Sequence, residues 1–110
     1  MLSRQFIAFI GLLFITVSAI AAPLPTYEIT IKDGVFSPSS IEVPAKQRFK
    51  IIVKNIGSGP AEFENLSMRV EKVLAAGVSS FVVIHPLKPG SYHFIDEFHM
   101  DMAGFTINVK

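Results

Sequence analysis

The chain has 110 residues, enough for one domain, and half of them are hydrophobic. Ten Lys and Arg stand against nine Asp and Glu, with no cysteine, which excludes disulfides and thiolate chemistry. There is no basic stripe, so the charge pattern supports neither nucleic-acid binding nor attachment to an anionic membrane.

Residues 1–21 read as an export signal. Arg4 supplies the positive start, Phe6 to Val17 form an apolar run broken only by Gly11 and Thr16, and Ala19-Ile20-Ala21 gives a small-x-small cleavage pattern. The run is about 12 to 15 residues, short of the 20 or so that a membrane-crossing helix needs; an uncleaved anchor is the alternative. The mature domain is therefore expected at 22–110, without membrane insertion after cleavage. The bacterial periplasm is the expected compartment, with secretion as the other option. Loss of Arg4 leaves nine basic and nine acidic residues, a formal net charge of zero.

Short alternating runs follow, separated by turns. Tyr27, Ile29 and Ile31 alternate with polar neighbours up to Asp33-Gly34, and Ile41 and Val43 lead into Pro44-Ala45-Lys46. Phe49, Ile51 and Val53 alternate next, and 55–60 is a Gly/Ser/Pro loop. Residues 64–68 form at most a helical turn. Further strands are expected at 70–74, 80–84, 91–95 and 105–109. About seven strands with turns every 8 to 12 residues predict an all-β antiparallel sandwich. Residues 87–92 (Leu87-Lys88-Pro89-Gly90-Ser91-Tyr92) resemble a tyrosine corner, which makes Tyr92 structural.

In the loop before the last strand, Glu97, His99, Met100, Asp101 and Met102 crowd together. On an extended segment Glu97 and His99 share a face, as do Glu62 and Glu64, with Phe63 turned to the core between them. Carboxylates with an imidazole suit iron or Cu(II), whereas thioethers beside an imidazole favour Cu(I). Each residue also has a plainer role. The glutamates serve as solvated strand-end charges, His99 as a surface or capping residue, and Met102 and Met68 as core fillers. Glu71 lies between Arg69 and Lys72 and reads equally as an ion-pair partner or a ligand. His85 lacks such neighbours, and His93 is opposite in phase to Tyr92 and Phe94, facing solvent.

The ordered segments resemble the cupredoxin superfamily, and within it the cysteine-free domain of EfeO-type periplasmic iron-uptake proteins. They are 34–38 (GVFSP), 41–45 (IEVPA), 48–50 (RFK), 53–55 (VKN), 60–64 (PAEFE), 69–73 (RVEKV), 86–92 (PLKPGSY) and 97–99 (EFH). The resemblance implies a Greek-key sandwich with a metal at one pole. Against the blue-copper pattern, Asp96 falls on the thiolate, His99 on the second histidine, Met102 on the axial methionine and Ala61 on the first histidine. Against the EfeO-type pattern, Ala61 replaces one carboxylate, and Met100 and Met102 replace Pro and Thr. Blue copper is thereby excluded. The implied metal residues are His99, Glu97, Met102, Met100, Glu62 and Glu64, for a copper or iron ion.

The leading expectation is a metal-binding protein accessory to iron uptake, with an Ftr-type permease or another periplasmic iron-uptake component as partner. A Cu(I) carrier on His99, Met100 and Met102 is the alternative. A metal-free interaction module, favoured by the loss of a carboxylate at Ala61, is a third. An enzyme is not expected: no Ser/His/Asp grouping, Gly-rich phosphate loop or Cys nucleophile is present.

Overall fold

The computed structural model describes Gly11 and residues 23–110. The expected signal peptide, apart from Gly11, lies outside the described residues, as does its cleavage site. No helix among the described residues is long and apolar enough to cross a membrane.

The alternating runs form β1 (Thr26–Lys32), β2 (Val35–Ser37), β3 (Ser40–Val43), β4 (Phe49–Asn55), β5 (Ala61–Asn65), β6 (Val70–Leu74), β7 (Ser79–Ile84), β8 (Gly90–Phe94) and β9 (Phe105–Val109). Two single 3-10 turns, Leu66–Met68 and Glu97–His99, interrupt them. One sheet has the order β2-β1-β4-β7, the second β3-β9-β8, and β5 and β6 make a separate ribbon. The pairs β1·β4 and β3·β9 are parallel and the others antiparallel, so the chain crosses between layers rather than meandering.

Period-two alternation fills the space between the layers. Ile29 and Ile31 of β1, Phe49, Ile51 and Val53 of β4, and Phe105, Ile107 and Val109 of β9 are all buried. Phe63 of β5 lies face to face with Phe94 of β8, ring centroids 4.3 Å apart and planes 6° apart. That stack presses the ribbon against the second sheet. The Tyr92 hydroxyl donates to the Lys88 carbonyl at 2.8 Å, closing the expected tyrosine corner.

The all-β sandwich matches expectation, with two added strands and with β1·β4 and β3·β9 parallel where antiparallel pairing is expected from the turn spacing. β2 has only three residues, below the length at which alternation is readable. From the sequence no strand is expected at 61–63 and at most a helical turn at 64–68, whereas Glu64 is strand and only Leu66–Met68 is helical.

Candidate metal centre

The site forms where β5 meets the loop after β8. Asn55, buried at the end of β4, frames the entry to β5. Its amide donates to the carbonyls of Gly59 at 2.8 Å and Leu74 at 3.0 Å, and its side-chain oxygen accepts from the Gly57 N–H. Nearby, the N–H and hydroxyl of Ser58 donate to the Asp33 carboxylate and hold its pKa below the usual range. β5 is then tied to the β8 side by a reciprocal backbone pair. Glu64 N–H donates to Ile95 O at 3.1 Å, and Ile95 N–H to Glu64 O at 3.0 Å.

Asp96, which the resemblance sets at the thiolate position, is a staple. It is 2% exposed. Its Oδ1 accepts from the N–H of Glu62 at 3.1 Å and of Phe98 at 3.0 Å, and its Oδ2 lies 2.9 Å from His99 Nδ1. One carboxylate thus caps the 3-10 turn, fixes β5 and orients an imidazole.

The turn corrects the reading of Glu97 and His99 as neighbours on one face. Successive residues of a 3-10 helix rotate by about 120°, so residues two apart diverge. Glu97 reaches the ribbon: ligand atoms of Glu62, Glu64 and Glu97 lie within 4.8 Å of one another. His99 sits on the other side, against Gly34. A Cβ on Gly34 would stand 2.6 Å from His99 Cβ and 2.9 Å from Met102 Cγ, and its φ of +86° favours glycine as well. His99 is therefore not among the three converging residues, and Met102 packs beside it. Met100 is 68% and Met102 40% exposed, so Met102 does not plug the core.

Glu62 and Glu64 are each only 3% exposed, unlike solvated strand-end charges. Phe63 between them faces the core, as expected. Glu71 forms no ion pair with Arg69 or Lys72; it stands directly across the ribbon from Glu64. Sequence reasoning left its role open because cross-strand register is invisible along the chain. His93 is exposed, with Nδ1 3.2 Å from the Thr106 hydroxyl.

Burial, then repulsion from Glu64 and Glu97, pushes the Glu62 carboxyl up to about 8. Burial and then Glu97 raise Glu64 as well. Glu64 Oε2 is buried with no hydrogen-bond partner. No donor outside the cluster meets this oxygen; the protons that Glu62 and Glu64 keep are shared among the carboxyls, and buried carboxylates converging in this way suit a cation. These donors fit an oxygen-preferring or borderline ion and do not fit blue copper, which needs a thiolate.

A pH dependence follows for the metal-free protein. The folded pKa of Glu62 lies above its ordinary 4.5, so the folded state holds a proton that the unfolded state releases. The stabilising contribution is complete below about 4.5 and is lost as pH rises through about 8. Thermal melts across this window should show a falling Tm, flattened in Glu62→Gln.

The chain belongs to the family of cupredoxin-like domains, whose model matches residues 5–107. An uncharacterized protein of Rickettsia prowazekii (strain Madrid E) is 38% identical over 81 residues. The match covers 73% of this chain and 65% of that protein, so the chain spans just under two thirds of this relative. Among solved structures, reduced auracyanin from Roseiflexus castenholzii is similar with a TM-score of 0.64 at 14% identity, covering 81% of this chain and 99% of that one. The metal binding domain of the Streptococcus pneumoniae D39 Cu(I)-exporting ATPase CopA, solved with Cu(I), gives 0.65 at 14%, covering 77% and 84%. A purple cupredoxin from Nitrosopumilus maritimus gives 0.56 at 18%, covering 76% and 99%. At these identities the structural likeness is one of fold.

Proposed function

We propose that this protein is an exported metal-binding cupredoxin that holds an iron or Cu(II) ion on Glu62, Glu64 and Glu97, in a binding rather than a catalytic role. The observation that carries this reading is the unpartnered, buried Oε2 of Glu64 at the convergence of the three carboxylates. Glu71, across the ribbon from Glu64, adds negative charge beside them. When bound, the ion would supply the positive charge that this cluster lacks.

The chain's own residues do the remaining work. Asp96 fixes the backbone of Glu62 and of the Glu97 turn, and the Ile95 pair fixes that of Glu64. Glu62 and Glu64 give up protons as the ion enters, so binding strengthens with pH across the range in which Glu62 titrates. Export to the periplasm, and a place beside an Ftr-type permease or other iron-uptake component, are parts of the same proposal. They rest on the family resemblance and on the expected signal at 1–21.

Competition titrations with Fe(III), Fe(II) and Cu(II) against chelators of known strength test it. Micromolar or tighter binding that is lost in a Glu62/Glu64/Glu97 triple Gln variant supports the reading; no binding of any of these ions overturns it.

A second reading has its own observation. Asp96 occupies His99 Nδ1 and leaves Nε2 available, the usual arrangement of a metal-ligating imidazole, and Met102 packs beside the same histidine over Gly34. With Met100 these residues compose the Cu(I) carrier alternative. Under reducing conditions, Cu(I) retention lost by about tenfold or more in His99→Ala and in Met102→Ala, yet kept in Glu62→Gln, would favour it.

A further inference from the structure

β6 and β7 are consecutive in the chain and adjacent in space, yet they do not pair. β6 bonds only to β5, and β7 bonds only to β4. Between them run two adjoining cavities of about 270 Å³ each, sharing Arg69, Val70 and Val83 in their walls. Met68 and Leu87 line one end. Phe81, 52% exposed, lines the other.

The register shows which backbone groups are free. Asn55 N–H donates to Val78 O, which continues the β4·β7 ladder past Lys54–Ser79. Antiparallel pairs alternate between bonded and non-bonded, so Ser80, Val82 and Ile84 bond to β4. Ser79, Phe81 and Val83 turn their N–H and C=O groups to the open edge, where none has a backbone partner among the described residues.

Natural sheets blunt their edges with brevity, charge or proline. β2 has three residues and is followed by Pro38, and β3 carries Glu42 and ends at Pro44. β6 carries Glu71 and Lys72. β7, six residues reading SSFVVI, has neither charge nor proline. Its surroundings are cationic: Arg69 and Lys72 line the groove, and Lys50 lies 4.3 Å over the Phe81 ring. None of the three is in an ion pair among the described residues. The one acidic side chain in the walls, Glu71, stands opposite Glu64 in the ribbon.

We propose that this groove receives an extended segment of a partner protein with alternating apolar and acidic residues, which adds as a strand to the open edge of β7. Its backbone bonds to Phe81 and Val83. Its apolar side chains, on the face of Val82 and Ile84, cover Met68, Val70 and Leu87, and its carboxylates, on the opposite face that Phe81 and Val83 share with Lys50, meet the cationic rim of Lys50, Arg69 and Lys72. The edge gives affinity, and the cationic rim selects an acidic strand.

The test uses the full chain and three dye-labelled heptapeptides followed by fluorescence anisotropy: alternating valine–glutamate, alternating valine–lysine, and the glutamate peptide with alternate backbone nitrogens methylated. Saturable binding of the first is expected, weaker by about tenfold for the second, lost for the third, and reduced at high salt. Lys72→Glu should weaken it severalfold while leaving Tm within about 2 °C, which checks folding. Absence of saturable binding, equal binding of the glutamate and lysine peptides, or indifference to N-methylation would overturn the proposal. Metal loading is not required for any arm, so failure here is separable from failure of the metal reading.

Discussion

Asp96→Ala is expected to lower stability by about 3–5 kcal/mol. The side chain is buried and serves three donors from two separate segments: the N–H groups of Glu62 and Phe98, and the His99 ring. Alanine leaves the buried Glu62 N–H and the part-buried Phe98 N–H without their acceptor, and each such loss costs about 1–3 kcal/mol. For a domain of this size the Tm should fall by about 12–20 °C. Asp96→Asn separates the contributions. It keeps an oxygen for the two backbone donors but changes the partner of the imidazole, so it should retain more than half of the lost stability. Calorimetry of the three proteins checks this, and a Tm change below about 4 °C for alanine would show that the staple carries little.

Glu64→Gln should act in opposite directions on the two states of the protein. In the metal-free protein it replaces a buried carboxyl, crowded by Glu97 and carrying an unpartnered oxygen, with a neutral group of the same size. The Tm should hold or rise, most clearly at alkaline pH where the cluster is charged. With the proposed ion bound, one of its three carboxylate ligands is lost, and affinity should fall by about 100-fold. Paired melts and chelator competition at one pH read both effects. Equal affinity of Glu64→Gln and the parent protein would remove Glu64 from the site. A large drop in metal-free stability would instead make its role structural.

The strands with strong alternation, β1, β4 and β9, were legible in the sequence because each buries one face on a core of Ile, Val and Phe. Tyr92 was legible because a tyrosine corner is a local motif. β5 was not, since both of its faces are buried, one by Phe94 and the other by the Glu97 turn, so its glutamates look like loop or solvent residues. The alternation of Ala61 and Phe63 with Glu62 and Glu64, just after Pro60, was the available signal. The divergence of Glu97 from His99 was hidden for a different reason. A single 3-10 turn has no periodicity, and only the Asp96 N-cap, whose carboxylate accepts from the N–H two residues ahead, announces it. The placement of Glu71 opposite Glu64 depends on cross-strand register, which no local pattern encodes.

The central claim is that the ion sits on the glutamate cluster. X-ray absorption at the iron edge, on protein loaded with one equivalent of Fe(III), reads the ligand atoms directly. An oxygen first shell without sulfur, disrupted in Glu64→Gln and kept in Met102→Ala, is the predicted result. A sulfur scatterer from the methionines, or a shell unchanged by loss of Glu64, would contradict it.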